Sequence, residues 1–550
     1  MIIKKYFLFV FIITVFFCRG QQLYFPMYHD ENAFVEMYLN KVNSKVHTSI
    51  KPFFYNDVIA EINIDSIDSA VTDTNRLYLL PSSYFAKFMR WSENKLMDED
   101  LVYIDSDGLK LRANLLLGLQ IGREGNQEEN YWQNTRGYWL SGQVGEKAFF
   151  ESAFYETQSK LLPFVNAYAR QGFVLPGQGR FKPFKQNVGA DWAFATGAFG
   201  YRANKYFTAY VGHGKNFIGD GYRSLLLSDN AFNYPYFKLE TTVWNIKYTN
   251  IWAQLSHIGF FPGAASDRNW TQKFIAVHHL SWNATKRLNI GLYESTSWLK
   301  EGRGFDWQYM NPVIFMRPVE WQNGSADNIL LGANTKFKIN DHYTLYGQFV
   351  LDDLNLAKLQ ETSGYWGNKY GGQLGVKACN IANVYGLSAQ LEYNVARPFT
   401  YTHFDSANAH THMNEPLAHP LGANFQEAVA MVRYKYKRHK LSAKMIWSEA
   451  GKDTLNVNHG GNIFLSYNTN KIDPNGNGEF TGNTIGQGDL NKLNLFDIRY
   501  AFLINPRARL YLELGYLDRI LTSKTAERSE TQFIFVGLRT TLNNFYYDYF

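Results

Sequence analysis

The chain has 550 residues, is 45% hydrophobic with a mean hydropathy of −0.32, and carries 55 Lys and Arg against 49 Asp and Glu, a net charge of +6. Its two cysteines exclude a disulfide framework, and no stretch beyond residue 20 offers the ~18 consecutive apolar residues of a membrane-crossing helix. Aromatic residues reach 17%, Tyr and Phe above all, a share that suits the aromatic girdles with which transmembrane β-barrels meet both bilayer interfaces.

Residues 1–20 read as a targeting segment: Lys4 and Lys5 form a positive start, Tyr6 to Phe17 an apolar run, and Cys18-Arg19-Gly20 a cleavage site before Gln21. Without them Cys379 is the single cysteine, and the net charge falls to about +3 as Lys4, Lys5 and Arg19 leave, so the basic pI implies no nucleic-acid partner. Residues 21–108 form the next region. Phe34, Met37, Tyr38 and Val42 follow helical spacing after His29-Asp30-Glu31, and Ser82 or Ser83 is placed to cap a second helix carrying Phe85, Phe88, Met89 and Leu96. This region holds 14 Asp and Glu against 7 Lys and Arg, a net −7, which leaves about +10 on residues 109–550.

From 109 onward apolar and polar residues alternate over eighteen stretches: 109–121, 136–144, 147–157, 190–202, 205–212, 237–247, 250–258, 274–283, 287–298, 327–339, 342–352, 371–380, 384–395, 427–437, 440–448, 493–504, 508–518 and 531–542. In the first, Leu109, Leu111, Ala113, Leu115, Leu117, Leu119 and Ile121 oppose Lys110, Arg112, Asn114, Gly118 and Gln120. A period of two sustained this long puts one face in an apolar medium and the other in water. The links alternate strictly. Eight are a few residues long, such as Val144–Lys147, Tyr201–Lys205 and Asn283–Arg287, and the nine between them run from about a dozen residues to more than forty. Short turns on one side and long loops on the other are the rhythm of outer-membrane barrels. The expected fold is therefore an all-β, antiparallel transmembrane barrel of about 18 strands (109–550), with both termini on the short-turn side, behind a small, partly helical periplasmic plug (21–108). A β-sandwich seldom sustains ten-residue strands with such regular links, a propeller would show an internal repeat that this sequence lacks, and 88 residues before the first strand are too few for the plug of a TonB-dependent transporter.

Basic residues gather on the wet face near the short turns: Lys110, Arg112, Lys336, Lys338, Arg433 and Lys435, with Lys444 and Arg509. An acidic segment on the same side predicts docking against this collar, closing a barrel too wide to be filled by its own strands. Surface screening would make such docking salt-sensitive. The terminal Asn-Asn-Phe-Tyr-Tyr-Asp-Tyr-Phe550 resembles the aromatic end that serves bacterial barrels as an assembly signal.

Three motifs carry a resemblance. Gly212-His-Gly-Lys-Asn-Phe-Ile-Gly219-Asp-Gly221-Tyr-Arg223-Ser224 continues to Asp229-Asn230; Asn311-Pro312 is followed by Glu320 and Asp327-Asn328; and Ala396-Arg397-Pro398-Phe-Thr-Tyr401-Thr-His403 precedes Pro416-Leu417-Ala-His419-Pro420. In this order the chain resembles the Wzi-type outer-membrane proteins of capsule assembly, and within them the gliding-motility-associated, RemB-like members of Bacteroidetes-type bacteria. The resemblance implies an eighteen-stranded barrel with a helical plug that holds or organises surface polysaccharide, or serves surface adhesion and motility.

The loops add chemistry of their own. Gly212, Gly214, Gly219 and Gly221 allow close backbone approach and predict a loop folded inward; neither a Lys-Ser/Thr pair nor a helix follows to make it a phosphate loop. Asn216, Arg223, Asp229, Trp307, Arg317, Trp321, Arg397, Tyr401 and His403 are the candidate polysaccharide contacts, because aromatic faces stack on sugars and Arg forks onto carboxylates. Trp270, Trp298 and Trp366, with Arg268 and Arg303, belong to the same external set, for which interface anchoring is the plainer reading. His403, His410, His412 and His419 crowd one loop without zinc spacing. Asp473-Pro-Asn475-Gly-Asn477-Gly478 begins like a calcium loop but has Thr484 where a bidentate Glu belongs. No cofactor or metal is called for, and neither a Gly-x-Ser-x-Gly nor a His-Glu-x-x-His motif points to an enzyme. The partners expected are the membrane, a surface polysaccharide, and motility or secretion proteins. A pore for oligosaccharides or anions is the alternative.

Overall fold

The computed structural model describes residues 24, 27–41, 44–54, 57–58, 92–125, 130–184, 189–259, 270–313, 315–324, 326–361, 363–471, 480–540 and 543–548. The targeting segment, the second helix expected around Ser82, Arg268 and the Asp473–Gly478 stretch fall outside them, apart from Leu96. The barrel strands are β1 Leu109–Glu124, β2 Asn130–Val144, β3 Ala148–Lys160, β4 Gly189–Arg202, β5 Phe207–Gly214, β6 Tyr234–Val243, β7 Ile246–His257, β8 Thr271–Asn283 and β9 Leu288–Leu299. They continue as β10 Asn328–Lys338, β11 Tyr343–Asp353, β12 Lys369–Cys379, β13 Leu387–Ala396, β14 Phe425–Tyr436, β15 His439–Lys452, β16 Asp489–Asn505, β17 Leu510–Thr522 and β18 Ser529–Thr540. Each pairs antiparallel with its neighbours, and β18 closes on β1 through Phe533↔Glu124 to Arg539↔Gly118. Closure leaves no open edge for lipid to face.

The alternation decides which way each side chain points. On β1, Leu115, Leu119 and Ile121 are exposed on the outer wall, whereas Arg112, Asn114 and Leu116 are buried in the lumen. A 12-residue strand such as β7, at ~3.3 Å per residue and a tilt of ~40°, rises about 30 Å and so crosses a ~25 Å hydrocarbon layer. Exposed Trp244 and Trp282 lie beside the short turns, at the inner bilayer interface.

Two links differ from expectation. β1 ends at Glu124 and β2 starts at Asn130, and β17 ends at Thr522 before β18 starts at Ser529, so these two outer links are short. The ladders Gly122↔Tyr131 and Leu521↔Ser529 extend the strands beyond the bilayer, where both faces are wet and the alternation fades. The C-terminus also departs from a strand ending in an aromatic. β18 stops at Thr540, and residues 543–548 turn into the lumen, where Tyr546 and Asp548 are buried.

The lumen is packed in layers. Nearest the short turns, α1 (His29–Lys41) and residues 44–54 lie against the inner wall, and Ile50–Lys51 pairs with Phe217–Ile218 of the inward-folded 215–233 link. The 397–424 link rests on that link: Tyr401 Oη donates to Leu225 O at 2.8 Å and Ser228 N to Leu417 O at 2.7 Å. Residues 453–471 cover it in turn, through Phe399 N to Gly460 O at 2.9 Å and the contact of Ile463 with Gly422. One apolar cluster runs through these layers and includes Phe54, Leu226, Tyr234, Tyr293, Tyr401, Leu417 and Ile463.

Candidate functional site

The centre of the lumen is an ionic knot. Arg223 is 1% exposed; its guanidinium donates to Asp548 at 2.9 Å and to Glu427 of β14 at 3.3 Å. Glu427 also accepts from His419 Nε2 at 2.6 Å, and Asp548 from Lys444 Nζ at 2.7 Å. Burial works against the charge of Arg223, but Glu427 ahead of its other neighbours holds it well above the usual range; burial likewise opposes the Asp548 carboxylate, and Lys444 and Arg223 keep it well below. Asp229 accepts from Tyr546 Oη at 2.6 Å and from Asn544 at 2.9 Å, which ties the inward link to the C-terminal tail. Asn216 is buried in the same link. The motif with its glycines thus builds an internal stopper. Gly219 has φ 144°, and a Cβ there would come within 2.1 Å of Gln348 Nε2.

The basic residues of the inner wall meet the N-terminal segment. Arg433 and Lys440 hold Asp30 at 2.6 and 2.7 Å, Arg509 lies 3.6 Å from Glu31, and Lys377 donates to Glu36. Lys336 donates to Thr48, and Lys435 sits 5.3 Å over the Phe34 ring. Lys338 is buried nearby. Arg112 and Lys110 reach Asp100 and Asp105 at 3.6 and 4.0 Å. Lys444 lies deeper than the others, in the central knot. Lys440 and Lys377, two further lumen positions of their strands, belong to the same collar, a role that the alternation of their strands signals.

The four loop histidines are structural wedges. His410 meets Leu226 O at 3.1 Å, His412 meets Asn233 O at 3.2 Å, and His403 lies beside the Asp405 backbone. Burial pulls His403 and His410 down to about 4 and His412 to about 3. Glu415 accepts from Gly177 N at 2.6 Å and Phe232 N at 3.0 Å, and burial pushes its carboxyl up to about 8. Among the described residues no group of three or more His, Cys, Asp or Glu is arranged to hold a metal.

The nine candidate contacts do not form one surface. Asn216, Arg223, Asp229 and Tyr401 are sealed in the lumen, and His403 is 7% exposed. Arg397 is half-buried, donating to Asn368 O at 2.8 Å. Trp307, Arg317 and Trp321 are exposed, but on the link between β9 and β10, which lies against the outer wall. Trp298 is fully buried under that link, and Trp366 is covered by Lys471 at 3.4 Å.

A cleft of about 490 Å³ does open at the external ends of β2, β3 and β4, within the ~300–1,000 Å³ typical of ligand sites. Asn134, Arg136, Glu156, Gln158 and Asp191 line it with Arg180, Phe181 and Lys182 of the adjoining link. Gln158 donates to Asp191 at 3.1 Å, fixing one wall. Exposed Arg136 and Glu156 pair across β2 and β3 in an outward row that elsewhere is apolar. That interruption of the alternation is the signal by which the sequence could have revealed the cleft.

Fold and wall define an outer-membrane β-barrel. No family model matches the chain, and no curated protein matches it. Among solved structures, the chain is similar to Wzi of Escherichia coli, an outer-membrane protein involved in group 1 capsule assembly and a carbohydrate-binding β-barrel. The TM-score is 0.53 at 12% identity, covering 95% of this chain and 100% of that one. OprD of Pseudomonas aeruginosa gives a TM-score of 0.40 at 10% identity over 80% of this chain and 96% of its own. OpdK of the same organism, with vanillate, gives 0.43 at 9% over 78% and 97%. At these identities the likeness concerns the fold alone, and none of these structures bears on the gliding-motility members.

Proposed function

We propose that the protein is a non-enzymatic outer-membrane barrel that binds or organises polysaccharide at the cell surface, in capsule or exopolysaccharide attachment, and through it supports adhesion and gliding. The reading is carried by one contrast: the lumen is stoppered by charges paired to one another, while the rim cleft presents exposed polar groups to the outside. Arg136, Arg180 and Lys182 suit the carboxylates of an acidic sugar, Asn134, Gln158 and Asp191 suit hydroxyl pairs, and Phe181 offers an apolar face. Residues 21–108 act as a periplasmic plug in this reading, with the collar from Lys110 to Lys435 as its seat. The carbohydrate binding of the Escherichia coli barrel supports the same assignment.

The test pairs purified protein with exopolysaccharide from its own cells. Binding should be present in the wild type and fall at least tenfold in Arg136→Ala/Lys182→Ala, a loss on the order of 1.4 kcal/mol or more, without steady current in planar bilayers. A porin-like current with no polymer retained would refute the proposal. Deleting the gene should release surface polysaccharide and impair spreading; partners captured from crosslinked envelopes without either defect would instead point to a motility or secretion machine.

A further inference from the structure

The link between β9 and β10 folds down the outside of the barrel, over a wall that lipid would otherwise cover. Asn250, His278 and Glu294 stand directly opposite one another on β7, β8 and β9, and all three point outward. From exposed Trp282 at the inner interface to His278 is four residues of β8, ~10 Å of height at ~3.3 Å per residue and ~40° tilt, which sets this row near the middle of the hydrocarbon layer. Polar groups there need protein partners. The link supplies them to two of the three: Asn250 donates to Pro312 O at 3.2 Å, and Glu294 accepts from Met316 N and Arg317 N, both at 3.0 Å, while His278 Nε2 is buried beneath the link without a hydrogen bond. Higher up, Trp252 donates to Tyr309 O at 2.8 Å and Trp298 to Gly304 O at 3.1 Å. The link also caps itself, Asp306 accepting from Gln308 N and Asn311 from Val313 N at 3.0 Å.

We infer that residues 304–313 and 315–322 form a lipid-embedded loop whose outer surface is covered by the acyl chains of the outer leaflet. Two observations fix that occupant. Outer-wall side chains satisfy the loop's backbone groups, as contact with hydrocarbon requires and contact with water does not. Apart from exposed Asn311 and Arg317, side-chain polarity also follows depth. Val313 and Phe315, 83% and 72% exposed, sit at the deepest point beside Pro312 and Met316. Trp307 and Trp321 stand above them, and Glu301 and Arg303 lie at the top. Arg317, exposed beside that row, leans back along α2 (Met316–Gln322) to Glu320 at 3.1 Å, which pairs its charge within the loop. The exposed face is continuous with the lipid-facing wall at Leu292 and Leu331. The loop therefore widens the barrel on one side of the outer leaflet.

Spin labels at Val313→Cys and Phe315→Cys, in full-length protein carrying Cys18→Ser and Cys379→Ser and reconstituted in liposomes, test this directly. Collisions with dissolved oxygen should exceed those with a water-soluble nickel chelate, as at a label on Leu292 of the lipid-facing wall. A nickel-dominated pattern matching a label on fully exposed Leu455 would overturn the assignment, and so would protection from both probes, which would mean that protein covers the loop. Independently, Trp307→Phe and Trp321→Phe should each reduce the quenching of protein fluorescence by lipids brominated along their chains; unchanged quenching in both also refutes it.

Discussion

Replacing Arg223 by Met tests whether the central knot keeps the barrel shut. Methionine keeps the side-chain bulk between the Tyr222 and Tyr546 rings, which the guanidinium approaches at 4.6 and 4.8 Å. It removes the cation from Glu427 and Asp548, which are fully buried and 5% exposed. Breaking a buried pair costs ~3–5 kcal/mol when the remaining charge is stranded. Here each carboxylate retains a second partner, His419 at 2.6 Å and Lys444 at 2.7 Å, so the low end applies. About 3 kcal/mol raises the population with the 215–233 link released by roughly 150-fold. In planar bilayers Arg223→Met should show discrete openings where the wild type is quiet, and its detergent-solubilised form should melt earlier. Arg528→Met, at an exposed pair with Glu530, is the control and should change neither. If Arg223→Met stays silent and melts with the wild type, the knot does not hold the lumen closed.

Gly219→Ala forces a Cβ to within 2.1 Å of Gln348, whose amide is itself fixed by Ile218 O and Leu225 N at 2.9 and 2.8 Å; the cost should be ~1–3 kcal/mol, read as a lowered melting temperature. Acid should loosen the 397–424 link. Its His403, His410 and His412 have folded values near 4, 4 and 3, lowered chiefly by burial, so the unfolded state binds more protons below about 6.5 and stability falls as the pH drops. Glu415, raised to about 8 by burial, gains a proton in the folded state and offsets part of this, which leaves a net fall on the order of a few kcal/mol. Protease sensitivity of the link at pH 4.5 but not 7.5 checks this, and equal resistance at both contradicts it. Deleting residues 21–108 should open the periplasmic mouth to current, and identical conductance would dismiss the plug. Salt at 1 M should leave that segment in place, because Arg433, Lys440 and Asp30 are nearly buried and the ~3 Å Debye length reached there screens exposed charges far more than buried ones; release of the segment would show that its contacts are on the surface.

The eighteen strands, their inward and outward faces and, apart from the two short outer links, the rhythm of their connections could be read from the sequence, because a period of two is a local property: each residue reports the medium on its own side of the wall. The inward fold of the 215–233 link was legible for a similar reason, through glycines that permit close approach. The same local signals could not show where the other links go. Trp307 and Trp321 look like sugar platforms until Asn250, His278 and Glu294, drawn from three strands, are seen to form one polar row beneath them. Asp548 looks like part of a strand end until Arg223, 325 positions away, is found to hold it in the lumen. Pairings of that kind depend on which distant segments closure of the barrel brings face to face, and so on the tertiary structure.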